Sequence, residues 1–172
     1  MNLRLTSGSA EITRGIGEAL GRAATGPLAF LLTGDYGTGK TTFVQGLARG
    51  LDIAGPVRSP SYNILKRYSG RLVLVHADLY RTRSAPEVDE LGIHEIAAAD
   101  GILAVEWPGR YLPPLSEMPC IAVSFSFPAD MPLSRHSACA GEEVDTRRNL
   151  EFQWQDDCPA TIKAVLHALA AR

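Results

Sequence analysis

The sequence predicts an α/β domain of three layers, in which helices flank a mixed central sheet. Short apolar segments, typical of buried parallel strands, alternate along the chain with segments whose apolar residues recur at helical spacing. The 172 residues, 45% of them hydrophobic and 21% charged, are enough for one domain with a sizeable core. We therefore expect residues 1–172 to form a single domain.

The first part of the chain is predicted to contain a helix, a strand and a second helix. Residues 9–24 carry apolar side chains at helical spacing, and Gly26-Pro27 ends this helix. Residues 28–32 are continuously apolar, as in a buried strand. A glycine-rich segment follows at once, and residues 41–51 form the next amphipathic helix.

The second part is predicted to be richer in strands. Two strands joined by the turn Ser69-Gly70 form an antiparallel hairpin, and one or two helical turns follow Pro86. Residues 128–145 are interpreted as a long loop. The remaining strands and the closing helix complete the list: strands at 62–68, 72–76, 101–106, 121–127 and 150–154, and a helix at 159–171.

Composition excludes several classes of protein. No apolar run approaches the roughly 20 residues of a membrane helix, and the first residues lack the features of a signal peptide, so we expect a cytoplasmic protein without a membrane segment. Cys120, Cys139 and Cys158 form no C-x-x-C pair, which argues against a zinc site or a disulfide framework. A net charge of −2 without a long basic run argues against a free-standing nucleic-acid binder.

Residues 34–41, GDYGTGKT, match the phosphate-binding pattern G-x-x-x-x-G-K-[ST] in full. Its glycines allow backbone N–H groups to approach phosphate oxygens, and the following helix directs its positive end at the same anion. Lys40 can reach the β and γ phosphates, Thr41 can bind Mg²⁺, and Thr42 can donate to an α-phosphate oxygen. Further loop residues expected at the phosphates are Asp35, Gly37, Thr38 and Gly39. The domain is thus predicted to be P-loop NTPase-like.

Two carboxylates could complete a magnesium site, because each follows a predicted apolar strand. Glu106 is favoured as the magnesium ligand, since its strand is the more uniformly apolar. Asp78 could orient the attacking water or bind the water shell of the metal. Trp107, directly after Glu106, serves either in packing or as a wall of the nucleotide site. His76 is interpreted as a structural residue, because no cluster of ligands surrounds it.

The nucleotide is predicted to be ATP. The sequence contains no N-K-x-D or T-K-x-D segment of the kind that reads guanine. Residues 89–92 formally fit D-x-x-G, but no apolar strand precedes them, so the match is interpreted as accidental. GTP is therefore disfavoured.

Five segments together resemble the motifs of the TsaE family, also called YjeE. Residues 34–43 resemble its G-D-L-G-A-G-K-T-T-F segment, and residues 58–62, RSPSY, resemble S-P-T-[FY]. Residues 76–81 resemble H-x-D-L-Y-R, residues 87–92 resemble E-x-x-x-L-G, and residues 105–108 resemble V-E-W-P. The five occur in the order and spacing of the family.

The resemblance implies a bacterial ATPase that binds ATP and Mg²⁺ and is needed for the threonylcarbamoyl modification of adenosine 37 in tRNA. Such a protein acts on a TsaB–TsaD complex, in which TsaD performs the transfer, and contacts tRNA mainly through these partners. ATP binding and slow hydrolysis would reset the complex between turnovers. The resemblance also implies that Lys40 binds phosphate, that Thr41 and Glu106 hold magnesium, and that Asp78 is required for hydrolysis.

Three further positions are implied by resemblance alone. Ser61 stands where the family has a switch-like threonine, and its hydroxyl can serve the same role. Thr13 matches a position near the adenine. An arginine late in the chain is expected near the nucleotide, and Arg148 fits better than Arg147.

Two other functions stay open. A small-molecule or nucleotide kinase would share the phosphate loop, but it needs arginines in a lid, for which Arg81 and Arg83 are the available pair. A non-hydrolysing ATP-binding adaptor would act through the conformation it imposes on a partner.

Overall fold

The computed structural model describes residues 1–60, 63–93, 101–109, 118–130 and 147–171. These residues form seven strands of one sheet and four helices. In chain order they are β1 (Asn2–Ser7), α1 (Ala10–Ala23), β2 (Leu28–Thr33), α2 (Lys40–Gly50), β3 (Leu65–Tyr68), β4 (Val73–Asp78), α3 (Ala85–Asp89), β5 (Gly101–Glu106), β6 (Cys120–Ser126), β7 (Arg148–Trp154) and α4 (Ala160–Ala170).

The sheet is mixed, as predicted, with the strand order β1-β7-β6-β2-β5-β4-β3. Its centre is parallel: β2 lies between β6 and β5, and β5 also pairs with β4. The edges are antiparallel, with β3 against β4 and with β7 between β6 and β1. The carboxyl ends of β2, β5 and β4 therefore meet at one edge, the usual place for a ligand in an open α/β sheet.

The predicted helices and all six predicted strands are confirmed to within a few residues, but one further strand was missed. No strand was predicted before the first helix, and this was wrong, because Asn2–Ser7 forms β1. Leu3 and Leu5 alternate with polar residues for only a few positions, a signal too short to stand alone. The strand depends on pairing with β7, where Leu5 lies opposite Leu150. Most of the predicted loop at 128–145 lies outside the described residues.

Apolar side chains bury both faces of the sheet. Successive side chains along a strand lie on opposite faces of the sheet. Leu74 and Ile102 therefore belong to one cluster, while Val75 and Leu103 belong to the other. The larger cluster packs against α1, α2 and α4, and the smaller one includes Val88 of α3. No helix in the described ranges is long and apolar enough to cross a membrane.

Helices α1 and α2 approach each other so closely that backbone contacts backbone. Gly17 and Gly21 of α1 face Gly46 and Gly50 of α2. A Cβ at position 46 would lie 2.2 Å from the carbonyl oxygen of Arg14, and one at position 50 would lie equally close to a carbonyl of α1. Because α2 begins at Lys40, this contact fixes the helix that carries the end of the phosphate loop.

Replacing Gly46 with alanine is expected to destabilise the fold by about 1–3 kcal/mol, because the added methyl group must push two helices apart. Gly15→Ala is the matched control, since a Cβ at this exposed helical position would lie more than 4 Å from every atom outside its neighbours and the local helix backbone. Its higher helix propensity should raise stability by up to about 1 kcal/mol. Urea unfolding of both variants measures the difference, and equal stabilities would contradict the role of the close contact.

Candidate functional site

A cavity of about 330 Å³ opens at the edge where the carboxyl ends of β2, β5 and β4 meet. It brings together most of the residues predicted from the sequence. Its lining consists of Tyr36, Gly37, Gly39, Lys40, Thr41, Thr42, Ser59, Asp78, Tyr80, Arg81, Glu106 and Trp107.

The loop between β2 and α2 has a backbone that only glycine adopts readily. Gly34, Gly37 and Gly39 have φ angles of 128°, 75° and 102°. At Gly34 a Cβ would also lie 2.2 Å from the carbonyl oxygen of Phe125 on the neighbouring β6. The carbonyl of Asp35 accepts a hydrogen bond of 2.7 Å from the Thr38 hydroxyl, which closes the turn. The spacing of the glycines in the motif is therefore a requirement of the backbone.

Lys40 is the first residue of α2, directly after this loop, and is only 4% exposed. Its ammonium donates to the carbonyl oxygens of Gly34 and Asp35, both at 2.7 Å, and lies 4.1 Å from the ring centroid of Trp107. Burial lowers the pKa of Lys40, while the nearby carboxylates, Glu106 foremost, act in the opposite direction. A buried cation at the start of a helix favours the binding of an anion.

Glu106 reaches the loop from the end of β5, where it pairs in register with Leu32 of β2. The residue is 4% exposed, and its Oε1 accepts a hydrogen bond of 2.8 Å from the Thr41 hydroxyl. The same oxygen lies 2.9 Å from Nε2 of His76. The predicted pair of magnesium ligands, Thr41 and Glu106, is thus in direct contact.

Asp78 lies beside Glu106, because β4 and β5 pair with these two residues in register. Its Oδ2 accepts a hydrogen bond of 2.8 Å from the Ser59 hydroxyl, and its Oδ1 accepts one of 3.2 Å from the backbone N–H of Tyr80. Ser59 was not identified from the sequence as a site residue, although it belongs to the RSPSY segment. Ser61, which was, lies outside the described residues.

The donor set fits magnesium. Mg²⁺ prefers oxygen ligands and is usually held by one or two protein groups together with phosphate oxygens and waters. Thr41 and Glu106 supply a hydroxyl and a carboxylate of this kind, and Asp78 stands next to them. Within the described ranges, no group of three His, Cys, Asp or Glu side chains could hold a metal ion alone.

Three aromatic rings line the cavity and contact one another. Trp107 contacts Tyr80 at 5.1 Å and Tyr36 at 6.5 Å between ring centroids, and the two tyrosines are 6.0 Å apart. Tyr36 and Tyr80 are 75% and 60% exposed. Trp107 has a φ of 55°, an unusual value for a bulky residue and a form of strain found at functional sites. The tryptophan is thus held at the wall of the cavity.

The two candidate arginines differ in position. Arg148 donates through Nη2 to the carbonyl of Gly37 at 3.3 Å, and its guanidinium lies 4.4 Å from the Phe127 ring centroid. Arg147 forms an ion pair of 3.1 Å with Asp130. Arg148 is therefore the one placed at the phosphate loop.

Thr13 lies behind the loop and is 2% exposed. Its hydroxyl is 2.8 Å from the hydroxyl of Ser7, and its methyl group lies 3.7 Å from the place of a Cβ at Gly39. A direct contact of Thr13 with a nucleotide stays a prediction.

The sequence of this chain is similar to sequences of known proteins. The family model described as "Threonylcarbamoyl adenosine biosynthesis protein TsaE" matches residues 7–131. The TsaE protein of Treponema pallidum is 36% identical over 124 residues, which cover 72% of this chain and 90% of that protein. The TsaE protein of Bacillus subtilis is 46% identical over 77 residues, 44% of this chain and 48% of that protein.

The fold is also similar to a solved structure. The crystal structure of YdiB from Bacillus subtilis superposes with a TM-score of 0.64 at 26% identity, covering 99% of this chain and 95% of that one. The match of the family model over most of the chain includes the phosphate loop, Asp78 and Glu106. The chain belongs to the TsaE family of threonylcarbamoyl adenosine biosynthesis proteins.

Proposed function

We propose that this protein is a magnesium-dependent ATP-binding protein that hydrolyses ATP slowly in support of threonylcarbamoyladenosine formation at position 37 of tRNA. The observation that carries the proposal is the contact between the Thr41 hydroxyl and the Glu106 carboxylate, 2.8 Å apart beside the buried Lys40. A phosphate loop, a hydroxyl and a strand-end carboxylate are the parts that phosphoryl chemistry needs in folds of this kind.

Each residue of the site has a role that follows from its position. Loop N–H groups and Lys40 bind the β and γ phosphates, and Thr41 and Glu106 hold magnesium, which neutralises phosphate charge when bound. Asp78 orients the attacking water. Its two oxygens are already fixed by Ser59 and by the Tyr80 N–H, so its carboxylate needs no reorganisation to do so.

ATP is proposed over GTP. The D-x-x-G segment at 89–92 begins at the last residue of α3, so it does not follow a strand as a magnesium-binding segment should. The N-K-x-D and T-K-x-D sequences are absent from the whole chain. Both observations favour a nucleotide that is not recognised by a guanine-reading motif.

The proposed partner is a TsaB–TsaD complex in the cytoplasm. The net charge of −2 gives the chain little affinity of its own for a polyanion, so tRNA is proposed to be contacted mainly through the partners. Nucleotide state would then control how the chain engages the complex.

The proposal predicts that tagged protein recovers TsaB and TsaD together from its own cell, and that recovery depends on the nucleotide added. Pull-down is compared in ATP, in ADP and in a slowly hydrolysed ATP analogue, with quantification of both partners by mass spectrometry. A loop variant that cannot bind nucleotide, Lys40→Met, serves as control and should lose the nucleotide dependence. Recovery of neither partner under all three conditions would contradict the proposed assembly.

A kinase is the second candidate, because Arg81 lines the cavity and could contact a transferred phosphate. Arg83 does not line the cavity. Transfer of phosphate from ATP to a panel of small acceptors would favour a kinase. Release of inorganic phosphate, stimulated by partner proteins, would favour the ATPase.

A further inference from the structure

One buried polar group is not used by the proposed chemistry. His76 lies on β4, is 0% exposed, and directs Nε2 at Oε1 of Glu106, 2.9 Å away. The same oxygen accepts the hydrogen bond from Thr41. Two elements, β4 and the first turn of α2, therefore hold one carboxylate oxygen from two sides.

The other ring nitrogen of His76 defines its tautomer. Nδ1 is buried and has no hydrogen-bond partner among the described residues. A carboxylate only accepts hydrogen bonds, so Nε2 carries the hydrogen in this contact. A neutral ring then leaves only a lone pair unpartnered at Nδ1, which costs less than a buried N–H without an acceptor. The imidazole thus acts as a fixed donor to Glu106.

A fixed donor is useful here because Glu106 has a competing partner. Among the carboxylates near Lys40, Glu106 contributes most to keeping the Lys40 ammonium protonated. A direct ion pair between the two would occupy both the group that binds phosphate and the carboxylate that holds magnesium. In the structure Lys40 donates instead to the carbonyls of Gly34 and Asp35.

We infer that His76 is a positioning residue, which holds the Glu106 carboxylate against Thr41 and away from Lys40 so that the magnesium site is preformed. The inference rests on the proposed function, since it concerns the same site. It gives His76 a role beyond the structural one interpreted from the sequence. Partners that orient a metal ligand commonly contribute 10–100-fold to metal affinity.

The test compares two substitutions of similar size and polarity. Glutamine can place an N–H donor at the position of His76 Nε2, whereas asparagine places its donor nearer to Nδ1 and does not reach Glu106. His76→Leu removes the donor altogether. The measured quantity is the affinity for Mn²⁺ in the presence of ADP, by electron paramagnetic resonance, together with the affinity for ADP in EDTA.

We expect His76→Asn and His76→Leu to weaken Mn²⁺ binding by about 10–100-fold and His76→Gln by less than about fivefold. A structural role alone would make glutamine and asparagine equivalent, and thermal unfolding of all three variants identifies any that fail to fold. The positioning role would be overturned if His76→Asn and His76→Leu both bound Mn²⁺ with wild-type affinity. It would also be overturned if His76→Gln and His76→Asn lost equal Mn²⁺ affinity. Either result would leave the proposed function intact. Absence of Mn²⁺-dependent ADP binding by the wild-type protein would overturn both.

Discussion

Replacing Glu106 with glutamine is expected to lower magnesium-dependent ATP hydrolysis by about 100-fold or more, because the site loses the charge that holds the metal. Glutamine keeps the size of the side chain, and its carbonyl oxygen can still accept the hydrogen bond from Thr41. The fold should therefore survive. Initial rates over a range of Mg²⁺ concentrations measure the effect, and ADP affinity in EDTA reports whether the phosphate loop is intact.

Glu151→Gln is the matched control for this substitution. Glu151 also lies on a strand, β7, but it pairs with Arg4 at 3.5 Å, away from the residues that line the cavity. Its hydrolysis rate should match the wild-type rate. If Glu106→Gln hydrolysed ATP at the wild-type rate with the same Mg²⁺ dependence, the metal would have to be assigned to Asp78.

Replacing Lys40 with methionine is expected to weaken ATP binding by about 100-fold or more. Hydrogen bonds to charged groups contribute about 1.5–3 kcal/mol each, and the ammonium is placed to make more than one to the phosphates. Titration with ATP, followed by the fluorescence of Trp107, measures the loss, because the Trp107 ring lies 4.1 Å from the ammonium. Trp154→Phe removes the other tryptophan of the chain, so that only Trp107 is observed.

The stability of the Lys40→Met variant must also be measured, because it distinguishes the loss of a contact with ATP from the loss of the fold. Methionine removes the hydrogen bonds from the ammonium to the carbonyls of Gly34 and Asp35, so a loss of stability of about 1–3 kcal/mol is expected, and urea unfolding of the variant is measured beside its affinity for ATP. Lys66→Met, on the exposed side of β3, is the control and should bind ATP normally. Unchanged affinity in a folded Lys40→Met variant would remove the phosphate loop from the proposed function.

The parts of the site that could be predicted are those with local signals. The phosphate loop was predictable because its glycines satisfy a backbone requirement within eight residues, and this requirement is seen in the positive φ angles at Gly34, Gly37 and Gly39. Glu106 and Asp78 were predictable because the ends of apolar parallel strands meet at one edge. Their registers, in which Asp78 lies opposite Glu106, confirm that reasoning.

The parts that escaped prediction depend on contacts between distant segments. The contact between His76 and Glu106 joins residues that are 30 positions apart in the sequence. It depends on how β4 and β5 are oriented relative to each other, and no spacing in the sequence encodes that orientation. β1 needs its partner β7, nearly the whole chain away. Arg148 was selected by resemblance alone, and its place beside Gly37 is visible only in the folded chain.

The backbone contact between α1 and α2 also has a mechanical consequence. At Gly17, Gly21, Gly46 and Gly50 the two backbones touch with no side chain between them, so little space is left there for one helix to slide past the other. Any tilt of α2 that accompanies the arrival or departure of phosphates at its first turn must carry α1 with it. We therefore expect the two helices to move as one body, so that a shift of the loop would also displace the exposed surface of α1 around Ile12.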